Sequence, residues 1–187
     1  MRDIQRIFVH CTAGSQKQTL NQLLNEFKAK GWKNPGYHYV VFPDGKVEQL
    51  LDEKEVSNGV QGYNSTSINI AYVGGIDNKG RGCDNRTDDQ KRVLRTLLGT
   101  LKERYPNAHI MGHRDIWGKN PAKWKKQCPC FDAEKEYAYL DDIKLEKYAD
   151  SGADPTPEDT DLYIFDKPRD YTGLINSMMP WPKTRNF

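Results

Sequence analysis

Hydrophobic and polar positions along the chain switch between two periods, and each switch marks an element. Ile4, Ile7, Phe8 and Val9 form an apolar run that predicts a strand ending at His10 and followed by a polar, Gly-containing loop. Thr19 opens a helix: Gln22 completes a capping box, and Leu20, Leu23, Leu24 and Phe27 recur on one face until Gly31 stops it. Residues 37–42 and 46–51 are strand-like runs joined through Pro43-Asp44-Gly45, a turn sequence that predicts a hairpin. A loop rich in Gly, Asn and Ser leads to a strand at 68–73, ended by Gly74-Gly75. Thr87 and Gln90 form a second capping box before a long helix whose apolar face is Val93, Leu94, Leu97, Leu98 and Leu101, closed by Pro106. A short strand at 108–111 ends just before His113. This order predicts an α/β fold: a single mixed central β-sheet flanked by α-helices, with a C-terminal extension.

The chain is 187 residues long, enough for one domain with a core that needs no disulfide staples. Near Asp150 the chemistry changes to Ser-Gly-Ala-Asp-Pro-Thr-Pro-Glu-Asp, which reads as a linker, so the expected division is a domain over 1–145 and an extension over 146–187. The aromatics of the extension favour its packing on the body. Charge follows the same division. Residues 141–187 carry ten acidic and six basic side chains, a net of −4, which leaves +6 on the body of a chain whose total is +2. That balance argues against nucleic acid as a partner and suits a mild attraction to an anionic polymer. No apolar run approaches the roughly 20 residues that span a bilayer, so no membrane insertion is expected. The first residues lead into a strand without the apolar region of a signal peptide, which predicts synthesis in the cytoplasm. The four cysteines, at 11, 83, 128 and 130, are too few and too unevenly spaced for a disulfide framework, and reduced thiols or a metal site fit them better.

His10 and His113 both stand where a predicted strand gives way to a loop, the usual place for function on a rigid scaffold. On position alone they read first as hydrogen-bonded edge histidines. Cys128, in Lys126-Gln127-Cys128-Pro129, adds a thiolate, and two imidazoles with one thiolate make a tetrahedral zinc set that leaves a fourth position open. The ligand spacing is not local, so no zinc-site pattern establishes it.

Five blocks occur in order: His10-Cys11-Thr12-Ala13; Gly36-Tyr37-His38-Tyr39; the stretch from Gly62-Tyr63-Asn64 to Gly74-Gly75-Ile76-Asp77; Gly112-His113-Arg114-Asp115; and Lys126-Gln127-Cys128-Pro129. Over roughly residues 3–140 the chain thereby resembles the zinc-dependent N-acetylmuramoyl-L-alanine amidases, a family that includes the amidase-type lysozyme of T-odd phages and the animal peptidoglycan-recognition proteins. The resemblance implies that His10, His113 and Cys128 hold Zn2+ and that Tyr37 and Lys126 assist the chemistry. It implies hydrolysis of the amide between N-acetylmuramic acid and L-alanine, with bacterial peptidoglycan or a muropeptide as substrate, by a monomer that reaches the wall after release or export, or acts on wall fragments in the cytoplasm. Asn64 and Trp124 are the expected substrate contacts.

Other readings of these residues are duller. Tyr37 is also a plain strand aromatic, and Lys126 one of four lysines, with Lys119, Lys123 and Lys125, in a basic loop. His38 and His109 read as structural. Two departures from the family concern the cleft: Gly59 stands where the phage enzyme has a histidine, and residues 116–124 form a longer, basic, Trp-containing segment. His113-Arg114-Asp115 with Asn120 mimics a kinase catalytic loop, but no Gly-rich nucleotide loop or Asp-Phe-Gly accompanies it. The rival of another class is a peptidoglycan-binding module of the same fold without hydrolysis; the presence of Cys128 favours the enzyme.

Overall fold

The computed structural model describes residues 2–142, with side chains through residue 140. Five strands, β1 (Arg6–Cys11), β2 (Tyr39–Val41), β3 (Val47–Gln49), β4 (Ser67–Tyr72) and β5 (His109–Gly112), form one sheet in the order β3-β2-β4-β1-β5. β3 runs antiparallel to β2, and the other neighbours are parallel. The helices are α1 (Leu20–Ala29), α2 (Asp88–Arg104) and α3 (Ala133–Asp142), with short 3-10 turns at Asn64–Thr66, His113–Trp117 and Pro121–Lys123. The expected α/β architecture is present; the expected linker and extension at 146–187 lie outside the described residues.

Both capping boxes form. Thr19 and Gln22, then Thr87 and Gln90, exchange side-chain and backbone hydrogen bonds at the starts of α1 and α2. Gln90 does more: its buried amide also donates to Val41 O and Val73 O, tying the start of α2 to the ends of the β2 and β4 segments. Gly31, at φ +70°, ends α1 in a Schellman motif, with Gly31 N bonded to Lys28 O and Trp32 N to Phe27 O, and the rings of Trp32 and Phe27 stacked.

The hairpin strands are shorter than the periodicity predicts, although the ladder runs on past their bounds, with Leu50 N donating to His38 O. α3 is an element that the sequence reading did not predict. Its apolar stripe is Ala133, Tyr137 and Leu140, one small residue, one aromatic with a polar tip and a single leucine, too weak to stand out among four acidic side chains. Asp132 Oδ1 accepts from Lys135 N, an N-cap contact that was a usable signal.

β1, β4 and β2 are buried on both faces, as parallel strands covered by helices should be. Ile7, Val9, Cys11, Ile68, Ile70 and Tyr72 turn toward Leu94, Leu98 and Leu101 of α2 and Tyr137 and Leu140 of α3. Ala71, Val73 and Val40 pack on Leu23 and Phe27 of α1.

Candidate metal centre

β1 and β5 lie side by side and parallel, with Val9 opposite Gly112. The next residue of each, His10 and His113, therefore meets the other at the carboxyl end of the sheet despite 103 positions of chain between them. Ligand sites gather at this end in open α/β sheets. Gly112 lets the Cys128 loop close down: a Cβ there would fall 2.6 Å from Pro129 Cδ. Its N–H donates to Asp115 Oδ2 at 2.6 Å, which caps the turn that carries His113. Cys128 is fixed through its own neighbours. Arg114 N donates to Cys128 O at 2.9 Å, Tyr72 Oη donates to Pro129 O at 2.7 Å, and Cys11 N points at Cys128 Sγ from 3.3 Å.

The result is a compact donor set. His10 Nδ1 is 3.2 Å from His113 Nδ1 and 3.6 Å from Cys128 Sγ, and the three ligand atoms all lie within 4.8 Å of one another. Donors held about 2.0–2.3 Å from one tetrahedral centre sit roughly 3.3–3.6 Å apart, so the residues fit a zinc ion. The set has two imidazole nitrogens and one thiol sulfur, the softness zinc accepts, and three ligands leave a coordination position open. Burial disfavours imidazolium and drops the pKa of His10 to about 4 and of His113 to about 3; for His113 the neighbouring His10 adds to this, and the charge of Lys126 lowers both further. Both rings are neutral at pH 7, the form that binds metal.

Tyr37 joins this cluster. Its ring is 5.2 Å from that of His10 and edge-on to Phe27, and its hydroxyl points at Cys11 O from 3.5 Å. Burial, then the nearby Cys128 and Cys11, push its phenol well above the usual range, so it stays protonated as a donor. Lys126 is exposed, yet close enough for its charge to act on both histidines. Trp117 stacks on His113, centroids 5.5 Å apart. Trp124 lies one step further out: Arg114 covers its ring at 4.1 Å and its indole donates to Gly118 O. Asn64 starts the turn before β4, where its Oδ1 accepts from Val60 N at 2.7 Å.

His38 is buried, with Nδ1 accepting from Asn69 N, and His109 faces Glu134 on the outer edge of β5, so neither belongs to the donor set. The cysteines at 11, 83, 128 and 130 are unpaired, with Cys11 Sγ 3.9 Å from Cys130 Sγ. Two residues near the centre escaped the sequence reading: Asp115, which caps the His113 turn, and Asn69, whose Oδ1 meets His10 Nε2 at 2.9 Å. Asp115 carried a signal, three residues after Gly112 in capping position; a polar Asn amid Ile68, Ile70 and Ala71 was the signal for the other.

Residues 1–131 match the N-acetylmuramoyl-L-alanine amidase family. The chain is 39% identical over 138 residues to an endolysin of Klebsiella phage KP32, covering 72% of this chain and 85% of that protein. It is 38% identical over 131 residues to the endolysin of Escherichia phage T7, covering 69% and 82%. Among solved structures it resembles the Ph2119 endolysin from the Thermus scotoductus MAT2119 bacteriophage Ph2119, with a TM-score of 0.59 and 26% identity over 75% of this chain and 86% of that one. A strand-end donor cluster on this sheet, in a chain with these relatives, belongs to an enzyme, and the protein is a member of the N-acetylmuramoyl-L-alanine amidase family.

Proposed function

We propose that this amidase depends on zinc and hydrolyses the amide bond between N-acetylmuramic acid and L-alanine in bacterial peptidoglycan. The observation that carries the metal assignment is the convergence of His10 Nδ1, His113 Nδ1 and Cys128 Sγ, neutral imidazoles beside a thiol that receives a backbone N–H. When bound, zinc supplies Lewis acidity, polarising a carbonyl and acidifying water toward neutrality.

The chain's own groups complete the chemistry. Tyr37, kept protonated beside His10, donates a hydrogen bond to the oxygen that gains charge as the carbonyl is attacked. Lys126 brings a positive charge to the same side and relays a proton to the departing amine. Trp124, braced by Arg114, and Asn64, at the turn before β4, contribute contacts to the glycan or the peptide stem. Residues 1–145 form the catalytic domain, followed by an extension over 146–187. The protein acts on the wall after release, a reading that its resemblance to phage endolysins supports.

Zinc content and wall lysis, measured together, test this reading. Purified protein should carry close to one zinc per chain; a chelator should abolish lysis of isolated walls and added zinc restore it. Lysis that continues in metal-free protein would overturn the proposal.

A further inference from the structure

We propose that Asn69 is a positioning residue for the metal centre: its amide, seated in space left open by Gly59, holds His10 as the tautomer whose Nδ1 lone pair faces His113 and Cys128. The inference rests on the zinc reading above and deepens it.

Asn69 lies on β4 opposite Phe8 of β1, two residues from His10 on the same face of a parallel pair. It is fully buried, as are Ser57 and His38, and His10 is 1% exposed. All four of its polar groups are engaged, the backbone O accepting from His38 N at 2.8 Å. Oδ1 is 2.9 Å from His10 Nε2, Nδ2 donates to Ser57 Oγ at 2.9 Å, and the backbone N–H donates to His38 Nδ1 at 3.0 Å. A carbonyl oxygen can only accept, so the proton of a neutral His10 sits on Nε2 and Nδ1 is left with its lone pair. The reversed amide would present an N–H to Nε2, place the imidazole proton on Nδ1, and aim it at the other two ligands.

Room for this amide comes from position 59. A Cβ on Gly59 would lie 2.2 Å from Asn69 Oδ1 and 2.3 Å from Cγ, contacts no side chain can make. The φ of Gly59 is not positive, so the backbone there does not demand glycine. Space for Asn69 does. Gly59 and Asn69 therefore act as one unit, which explains why a glycine is tolerated where the resemblance led one to expect a histidine.

The test uses the full chain and begins without metal. In the 15N NMR spectrum of metal-free wild type, His10 should appear as the Nε2–H tautomer; an Nδ1–H tautomer would overturn the proposal whether or not the zinc reading survives. Zinc affinity is then measured by competition with a chromophoric chelator. Asn69→Leu, of similar volume with no acceptor, should weaken zinc binding about 10- to 100-fold and scramble the His10 tautomer. Asn69→Asp, which keeps the acceptor, should hold zinc at least as tightly as wild type. Gly59→Ala should weaken zinc binding with Asn69 intact, and combined with Asn69→Leu should add little to it. Wild-type affinity in Asn69→Leu would overturn the proposal, and so would loss of affinity in Asn69→Asp with the fold retained by circular dichroism. A wild type with the expected tautomer that binds no zinc would instead overturn the metal reading itself.

Discussion

On the α2 and α3 side of the sheet, Ile7, Val9, Cys11, Ile68, Ile70 and Tyr72 meet leucines in a large apolar cluster. On the α1 side, Phe8, His10, Asn69 and Ala71 alternate with them along the same two strands, and the apolar cluster there is smaller. His10, His38, Ser57 and Asn69 are all buried, and Asn69 bonds to each of the other three. The contrast puts most of the apolar burial on one face and a connected set of buried polar groups, His10 among them, on the other. Buried polar groups cost free energy unless every one finds a partner, so they are affordable where the opposite face supplies the burial.

Substitutions can break that division. The largest effect belongs to the donor set at the sheet's carboxyl end: Cys128→Ala or His113→Ala should abolish zinc retention and wall lysis together, checked by metal analysis and turbidity, with the folded spectrum kept. On the apolar side, Leu98→Ala should cost about 2–5 kcal/mol in denaturant unfolding while the folded fraction keeps its zinc; Leu98 is fully buried under the sheet. Zinc lost from folded Leu98→Ala would mean that the faces are not separable. Lys126→Ala should slow hydrolysis about 100-fold with zinc unchanged; loss of metal would move Lys126 from chemistry to scaffold.

Acid sharpens the comparison further. The pKa of His10, about 4, and of His113, about 3, lie below the ordinary 6.5 because burial opposes their charge. Between those values the unfolded chain binds protons that the folded chain refuses, so metal-free protein should lose stability as pH falls from 7 toward 4. Buried His38, also lowered to about 4, adds to the same loss, and melting curves across that range should show a smaller loss for His113→Ala, which removes one of the three groups. The smallest effect expected is for Thr87→Ala on the apolar side, about 1 kcal/mol from the lost cap of α2, with catalysis untouched.

What was legible in the sequence follows the same line. Elements with strong periods and explicit caps, α1 and α2, could be read in place, and so could the strands that deliver His10 and His113, because a histidine at the end of an apolar run is a local pattern, although β1 runs one residue past His10 to Cys11. The hairpin bounds were overextended, since Tyr37 and Phe42 continue the apolar run past the bounds of β2. α3 escaped because alanine and tyrosine supply its inner stripe. Position 69 was visible as an asparagine in an apolar strand, but its partner His10 lies 59 residues away and meets it only through the register of β1 and β4. The role of Gly59 was illegible for the same reason: its lack of a side chain matters to a residue across the fold.

The central claim, an amidase whose zinc is held by His10, His113 and Cys128, meets its most direct test in purified muropeptides incubated with zinc-loaded protein and analysed by mass spectrometry. The account predicts free stem peptide beginning at L-alanine, together with intact glycan, and none of either after His113→Ala. Unchanged muropeptides with zinc demonstrably bound would contradict it and leave a protein that holds its substrate without cutting it.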